Sequence, residues 1–157
     1  MITQSLIPMI GTATNEQQVR YQAAAQYEYN FAGTLGQRFM AWLAGRRQCL
    51  LELGAVYNRR SSKSEHDGGT RVVPLKKIVG SQGRACDFGP DFRPRQDGTR
   101  SRWINIAAAV AKGVTLPPVE LIEVGGRYYI RDGHHRISVA RANGQDHIDA
   151  HITVLEE

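Results

Sequence analysis

Cysteine is scarce in this 157-residue chain: only Cys49 and Cys86 occur, with no CxxC pair. That excludes a disulfide-dense scaffold and a four-cysteine zinc cluster, and it favours a reducing, cytoplasmic setting. No apolar run approaches the roughly 20 residues that cross a bilayer, so no membrane partner is expected. Near the start, Leu6, Ile7, Met9 and Ile10 are interrupted by Pro8 and lack a basic flank, unlike a secretory signal. No Walker or dinucleotide-binding fingerprint occurs, and no internal repeat or low-complexity tract. What is present suits one domain with an extension. The apolar fraction of 41% is enough for a core, and the net charge of +5 is compatible with nucleotides, nucleic acid or acidic partners.

Residues 14–57 read as a helical hairpin. Thr14 or Asn15 caps the first arm, and Gly33 and Gly36 mark a break. A second arm from Leu35 to Tyr57 places Leu35, Phe39, Trp42, Cys49, Leu53 and Val56 on one stripe. Such a pair can form a homodimer, and its Arg46 and Arg47 are candidates for nucleic-acid contact. Residues 58–70 contain no apolar side chain and read as a linker or exposed loop. The division is therefore 1–60 helical region, 61–70 linker and 71–157 domain.

From Arg71 onward the pattern is short and alternating. A strand lies within Val72–Val79, and a long loop fills residues 80–100. A helix follows from Ser101 to about Lys112, then a strand over Val119–Val124. Gly125-Gly126 suits a hairpin turn to a partner strand over Arg127–Arg131. A helix from Asp132-Gly133 to about Asn143 precedes the last strand, His147–Leu155. There Ile148, Ala150, Ile152 and Val154 share one face, and His147, Asp149 and His151 the other. The fold class is α+β, a β-α-β-β-α-β domain preceded by a helical hairpin.

The chemistry concentrates in Asp132-Gly133-His134-His135-Arg136, at a strand-to-helix turn. A helix start presents unpaired N–H groups and a partial positive charge, which hold anions. Gly133 lets a ligand approach the backbone, Arg136 can grip phosphate oxygens in bidentate fashion, and the histidines add donors. Three basic residues at this end oppose the helix dipole, which suggests a compensating bound anion. Upstream, Gly80-Ser81-Gln82-Gly83-Arg84 can set Arg84 against phosphate. Arg93, Arg95, Arg100 and Arg102 crowd the long loop, as a lid over an anion, a nucleic-acid contact or a solvated basic face. His147, Asp149 and His151 were weighed as metal ligands, with an exposed polar face favoured.

Residues 72–155 resemble the ParB/sulfiredoxin superfamily. The resemblance rests on Val-Pro-Leu-Lys-Lys-Ile at 73–78, Leu-Pro-Pro-Val-Glu-Leu at 116–121, and Tyr-Tyr-Ile-Arg-Asp-Gly-His-His-Arg-Ile-Ser-Val-Ala at 128–140. Gly-Gln-Asp-His-Ile-Asp-Ala-His-Ile-Thr-Val at 144–154 continues it. It implies a nucleotide (ATP, ADP or CTP, with or without Mg2+) at the turn, bound by Gly133, His134, His135 and Arg136, with Arg84 and Ser138 completing the set. Sulfiredoxins carry a catalytic cysteine where His134 stands, so sulfinic acid reduction is not implied. Partition-type ParB proteins have Gly-Glu-Arg-Arg here and a downstream helix-turn-helix, so a centromere-binding clamp is not implied either. The Asp-Gly-His form is similar to the superfamily's free-serine kinases, which implies Asp132 as base and His134 or His135 near phosphate. The leading expectation is a nucleotide-binding module associated with DNA. The alternatives are a small-molecule (free amino acid) kinase with Asp132 and His135 as its catalytic residues, a ParB-like nuclease, and an interaction module.

Overall fold

The computed structural model describes residues 15–31, 40, 43–45, 49–57, 64–95 and 97–156. The described elements are α1 (Asn15–Phe31), β1 (Leu51–Glu52), α2 (Leu53–Val56), β2 (Ser64–Pro74), β3 (Ile78–Ser81), α3 (Arg100–Ala111), β4 (Val119–Val124), β5 (Arg127–Asp132), α4 (His134–Ala142) and β6 (His147–Glu156). The fold is α+β, around one six-stranded mixed sheet in the order β1-β3-β5-β4-β6-β2. Among the described residues, no helix is long and apolar enough to cross a membrane.

The central strands are buried on both faces, as their near-continuous apolar runs require. Val119, Leu121, Ile122 and Val124 of β4 and Tyr128, Tyr129 and Ile130 of β5 are all buried. These two strands form an antiparallel hairpin through Gly125 and Gly126, at φ 55° and 74°. Two consecutive left-handed residues match the right-handed twist of the flanking strands, and glycine adopts them without strain. β6 lies parallel to β4 and keeps the expected alternation, with Ala150 and Ile152 buried while His147, Asp149 and His151 stay exposed.

Three apolar groups hold the layers together. On one face, Ile137 and Ala140 of α4 pack with Val73, Ile78, Leu121, Ile130 and Ile152, and Phe88 and Phe92 from the 80–100 loop complete that core. Above it, Ala23 and Tyr27 of α1 meet Trp103 and Ala107 of α3 and Val139 of α4. On the opposite face, Leu53 and Tyr57 cover Ile122, Tyr129 and Leu155.

Three expectations are corrected. Residues 64–70, read as part of a linker, are the first half of β2, which pairs antiparallel with β6 from Ser64↔Glu156 to Pro74↔His147. Its polar stretch is exposed, so it shows no apolar alternation, and its strand state comes from long-range pairing. The helical stripe fails at Cys49, Leu53 and Val56. Leu51 and Glu52 pair in parallel with Gly80 and Ser81, the helix from Leu53 lasts one turn, and Val56 is exposed. Arg46, Arg47 and much of the first half of the proposed second arm, residues 35–39, 41–42 and 46–48, lie outside the described residues. The third concerns Cys49 and Cys86, which form a disulfide with Cα atoms 4.5 Å apart, contrary to the reducing setting inferred from cysteine scarcity.

Candidate functional site

β3 and β5 run parallel and adjacent, with Ser81 beside Ile130. Their carboxyl ends therefore release two loops side by side, the arrangement in which open α/β sheets bind ligands. The loop after β3 carries Arg84. The turn after β5 carries Asp132 and Gly133 and passes directly into α4. Together with Arg102 and Ile106 from α3, the residues Arg84, Asp132, Gly133, His134, His135 and Arg136 line one cleft of about 210 Å3. Five predicted ligand residues and the predicted base thus come together.

Gly133 caps α4 at φ 98°, a conformation unfavourable to any residue with a Cβ. A Cβ there would also meet Val119, at 2.5 Å from Cγ1 and 2.8 Å from Cβ. Packing and backbone conformation therefore require this glycine, rather than the close ligand approach expected from sequence. No side chain caps α4, and the first N–H groups of any helix lack intrahelical acceptors.

His134 and His135 are both buried, with 3% and 6% of their surface exposed. His134 Nε2 lies 2.7 Å from Ser81 Oγ, which joins the end of β3 to the start of α4. Phe88 stacks on His134 at 5.5 Å and meets His135 edge-on at 5.3 Å. Burial depresses both imidazoles to a pKa of about 4, and Arg84 adds to the effect at each. His135 additionally feels Arg102, while Asp132 and Asp87 oppose the shift. Both rings are neutral at pH 7. His135 Nε2 is closed off from solvent and has no hydrogen-bond partner. Such a group costs about 1–3 kcal/mol of desolvation unless it finds one.

The arginines differ in availability. Arg136 donates through Nη1 to the carbonyls of Pro117 and Pro118 at 2.6 and 2.8 Å, and through Nη2 to Asp132 Oδ2 at 2.6 Å. Of its five N–H hydrogens, only Nε–H and one on Nη2 remain for a ligand. Its main role in the protein is to hold the lead into β4 against the start of α4. Arg84 donates to Asp87 at 2.7 Å, within its own turn. Arg102 is exposed on the cleft, and no described residue pairs with it.

Ser138, the remaining predicted ligand, lies elsewhere. It is 1% exposed and accepts a 3.0 Å hydrogen bond from Trp103 Nε1, beneath the cleft. The basic loop is also committed to protein contacts. Arg93 pairs with Asp91 at 2.9 Å, Arg100 with Glu28 at 2.8 Å, and Arg95 approaches Cys49 Sγ at 3.9 Å. His151 faces Asp67 and Thr70, and among the described residues no three His, Cys, Asp or Glu side chains gather as a metal site. Sequence reading missed Ser81, Phe88 and Ile106. Only Ile106 left a trace, four residues beyond Arg102 and therefore on the same helix face.

One solved structure of similar fold is a sulfiredoxin. It is the Arabidopsis thaliana protein, 24% identical, matched over 53% of this chain and 82% of its own at a TM-score of 0.40. No family model matches this chain, and no curated protein does.

Proposed function

We propose that this protein binds a nucleotide through its phosphate groups in the cleft at the start of α4. One observation carries the reading: the cleft collects three arginines against a single carboxylate, and that carboxylate, Asp132, is already paired with Arg136. The helix start adds partial positive charge to the same space. Arg84 is paired with Asp87 and Arg136 with Asp132, so Arg102 and the helix start supply the uncompensated positive charge, which favours an anion. The volume is below the roughly 300–1,000 Å3 of pockets that enclose whole ligands. It suits phosphate groups, with Ile106 offering apolar surface to the sugar or base beyond them. A free nucleotide fits better than a nucleic-acid strand, because Arg93 and Arg100, the arginines nearest by sequence, are engaged by acids of the protein.

Arg102 is the informative substitution, since no described residue loses a partner when it is removed. In calorimetric titrations with ATP, ADP and CTP, wild type is expected to bind at least one. Arg102→Ala should weaken that binding about tenfold, the scale of one charge-assisted phosphate contact. Wild-type protein giving no heat and no thermal shift with all three overturns the proposal.

A second reading, phosphoryl transfer to a small hydroxyl compound, is favoured by the position of Asp132. Its side chain is 68% exposed on the cleft rim, where a substrate hydroxyl can reach it as a base. Phosphorus NMR after incubation with ATP or ADP and free amino acids tests it. Asp132→Asn should abolish a new phosphate ester while nucleotide affinity persists. A product that survives Asp132→Asn removes Asp132 from that role.

A further inference from the structure

Arg84, which lines the cleft, and Phe88, which backs its histidines, flank the turn Ala85–Asp87, and Cys86 lies at its centre, bonded to Cys49. On one side of Cys86, Arg84 lines the cleft; on the other, Phe88 packs against both histidine rings. Gln82 N–H, just ahead of this turn, donates to Ile130 O of β5 at 2.9 Å, and two further hydrogen bonds use the same anchoring segment as the disulfide. Leu50 N–H donates to Ala85 O at 3.0 Å, and Gly83 N–H to Glu52 Oε1 at 2.8 Å. That segment enters the sheet through β1, a two-residue strand at the edge. Further ties of the turn run to Arg95 and Pro94, within the 80–100 loop itself. The disulfide is therefore the covalent tie between the turn and the 49–52 segment, added to the burial of Ala85 and Phe88 in the core under α4.

We propose that Cys49–Cys86 is a redox switch for the phosphate cleft, which rests on the nucleotide-binding reading above. Oxidised, it holds Arg84 and Phe88 in place; reduced, it frees the turn and lowers affinity. A cellular dithiol supplies two electrons and two protons, the S–S bond breaks into two thiols, and the dithiol closes to its own disulfide. Binding then falls because the competent cleft is only a fraction of the population.

The test uses the full chain in three forms: oxidised, reduced with dithiothreitol, and Cys86→Ser. Thiol titration fixes the redox state, and circular dichroism verifies that each form is folded. Reduction and Cys86→Ser should each raise amide exchange at residues 83–88 at least tenfold, leaving β4 and β5 unchanged. ADP affinity should fall about tenfold in parallel. Oxidised protein that binds none of ATP, ADP and CTP sinks the nucleotide reading, while the exchange data still decide whether the disulfide holds the turn; where ATP or CTP is the nucleotide bound, it replaces ADP as the probe. Equal exchange in all three forms overturns the switch. So does undiminished ADP affinity on reduction, or two free thiols after isolation without reductant.

Discussion

Burial keeps His134 and His135 uncharged at pH 7, and this has a cost that appears on acidification. In the unfolded chain each imidazole titrates near 6.5; in the fold each is held at about 4. Between those values the unfolded state carries more protons, so stability falls as pH drops through the window from about 6.5 to about 4. The loss per histidine reaches on the order of 3 kcal/mol at the acid end, less where the two rings share their surroundings. Urea midpoints at pH 7.5, 6 and 5 should decline in wild type. His135→Gln should remove roughly half of that decline, and an unchanged slope would show that the rings are already solvated. Gly133 is equally exposed to test. Gly133→Ala forces a Cβ into Val119 at a φ of 98° and should cost about 2–4 kcal/mol in urea denaturation. An Ala variant as stable as wild type would mean that the turn relaxes freely. Asp132 through Arg136 was legible as a candidate site because a glycine and three basic residues at a strand-to-helix turn have few structural uses. The tasks of Arg136 and Ser138 were not legible. Their partners, the carbonyls of Pro117 and Pro118 and the indole of Trp103, are 19, 18 and 35 residues away.

At the level of elements, α3 is the hub that connects the helical layer to the cleft. Its Trp103 is fully buried, meets Tyr27 of α1 edge-on at 5.4 Å, and donates to Ser138 of α4. The same helix presents Arg102 to the cleft. Trp103→Phe keeps an aromatic ring but leaves the buried Ser138 hydroxyl without its donor, so it should cost about 1–3 kcal/mol. Hydrogen exchange should rise first in α1. Uniform acceleration across the sheet instead would place α1 within one cooperative unit with β4 and β5. The Glu16–Lys112 pair at the other end of this helix contact is solvent-exposed, so little of the docking rests on it. The elements that sequence reading located are those with local signatures. α3, the β4–β5 hairpin with its paired glycines, α4 and the alternating β6 all fall within one or two residues of expectation. The misplaced ones lack such signatures. β2 is polar over Ser64–Arg71 because it lies at the sheet edge, and β1 exists only through Gly80 and Ser81. Within the 80–100 loop, Phe88 and Phe92 are at most 1% exposed, and nothing in the surrounding Gly, Pro and Arg marks them as core.

Across the whole molecule, the segment 49–57, well upstream of the cleft in sequence, is tied to the turn beside it. Leu53 and Tyr57 seal the second face of the sheet, and Cys49 is tied to Cys86 across 37 positions. Closing a loop of that size in the unfolded chain removes entropy worth about 4 kcal/mol in the simplest model, with measured values commonly lower. A domain of this size has a total stability of only about 5–15 kcal/mol. The bond therefore contributes a substantial share to the global fold, apart from any effect on the cleft. The two contributions separate by where the cost appears. If the disulfide acts mainly on the unfolded ensemble, Cys49→Ser and Cys86→Ser should lower the urea midpoint equally, with the double variant no worse than either single one. The native-state exchange pattern away from residues 83–88 should then match that of the oxidised protein. The equal loss follows because removing either sulfur opens the same loop. A Cys49→Ser cost well above that of Cys86→Ser would instead assign the stability to the packing of Cys49 beside Arg95.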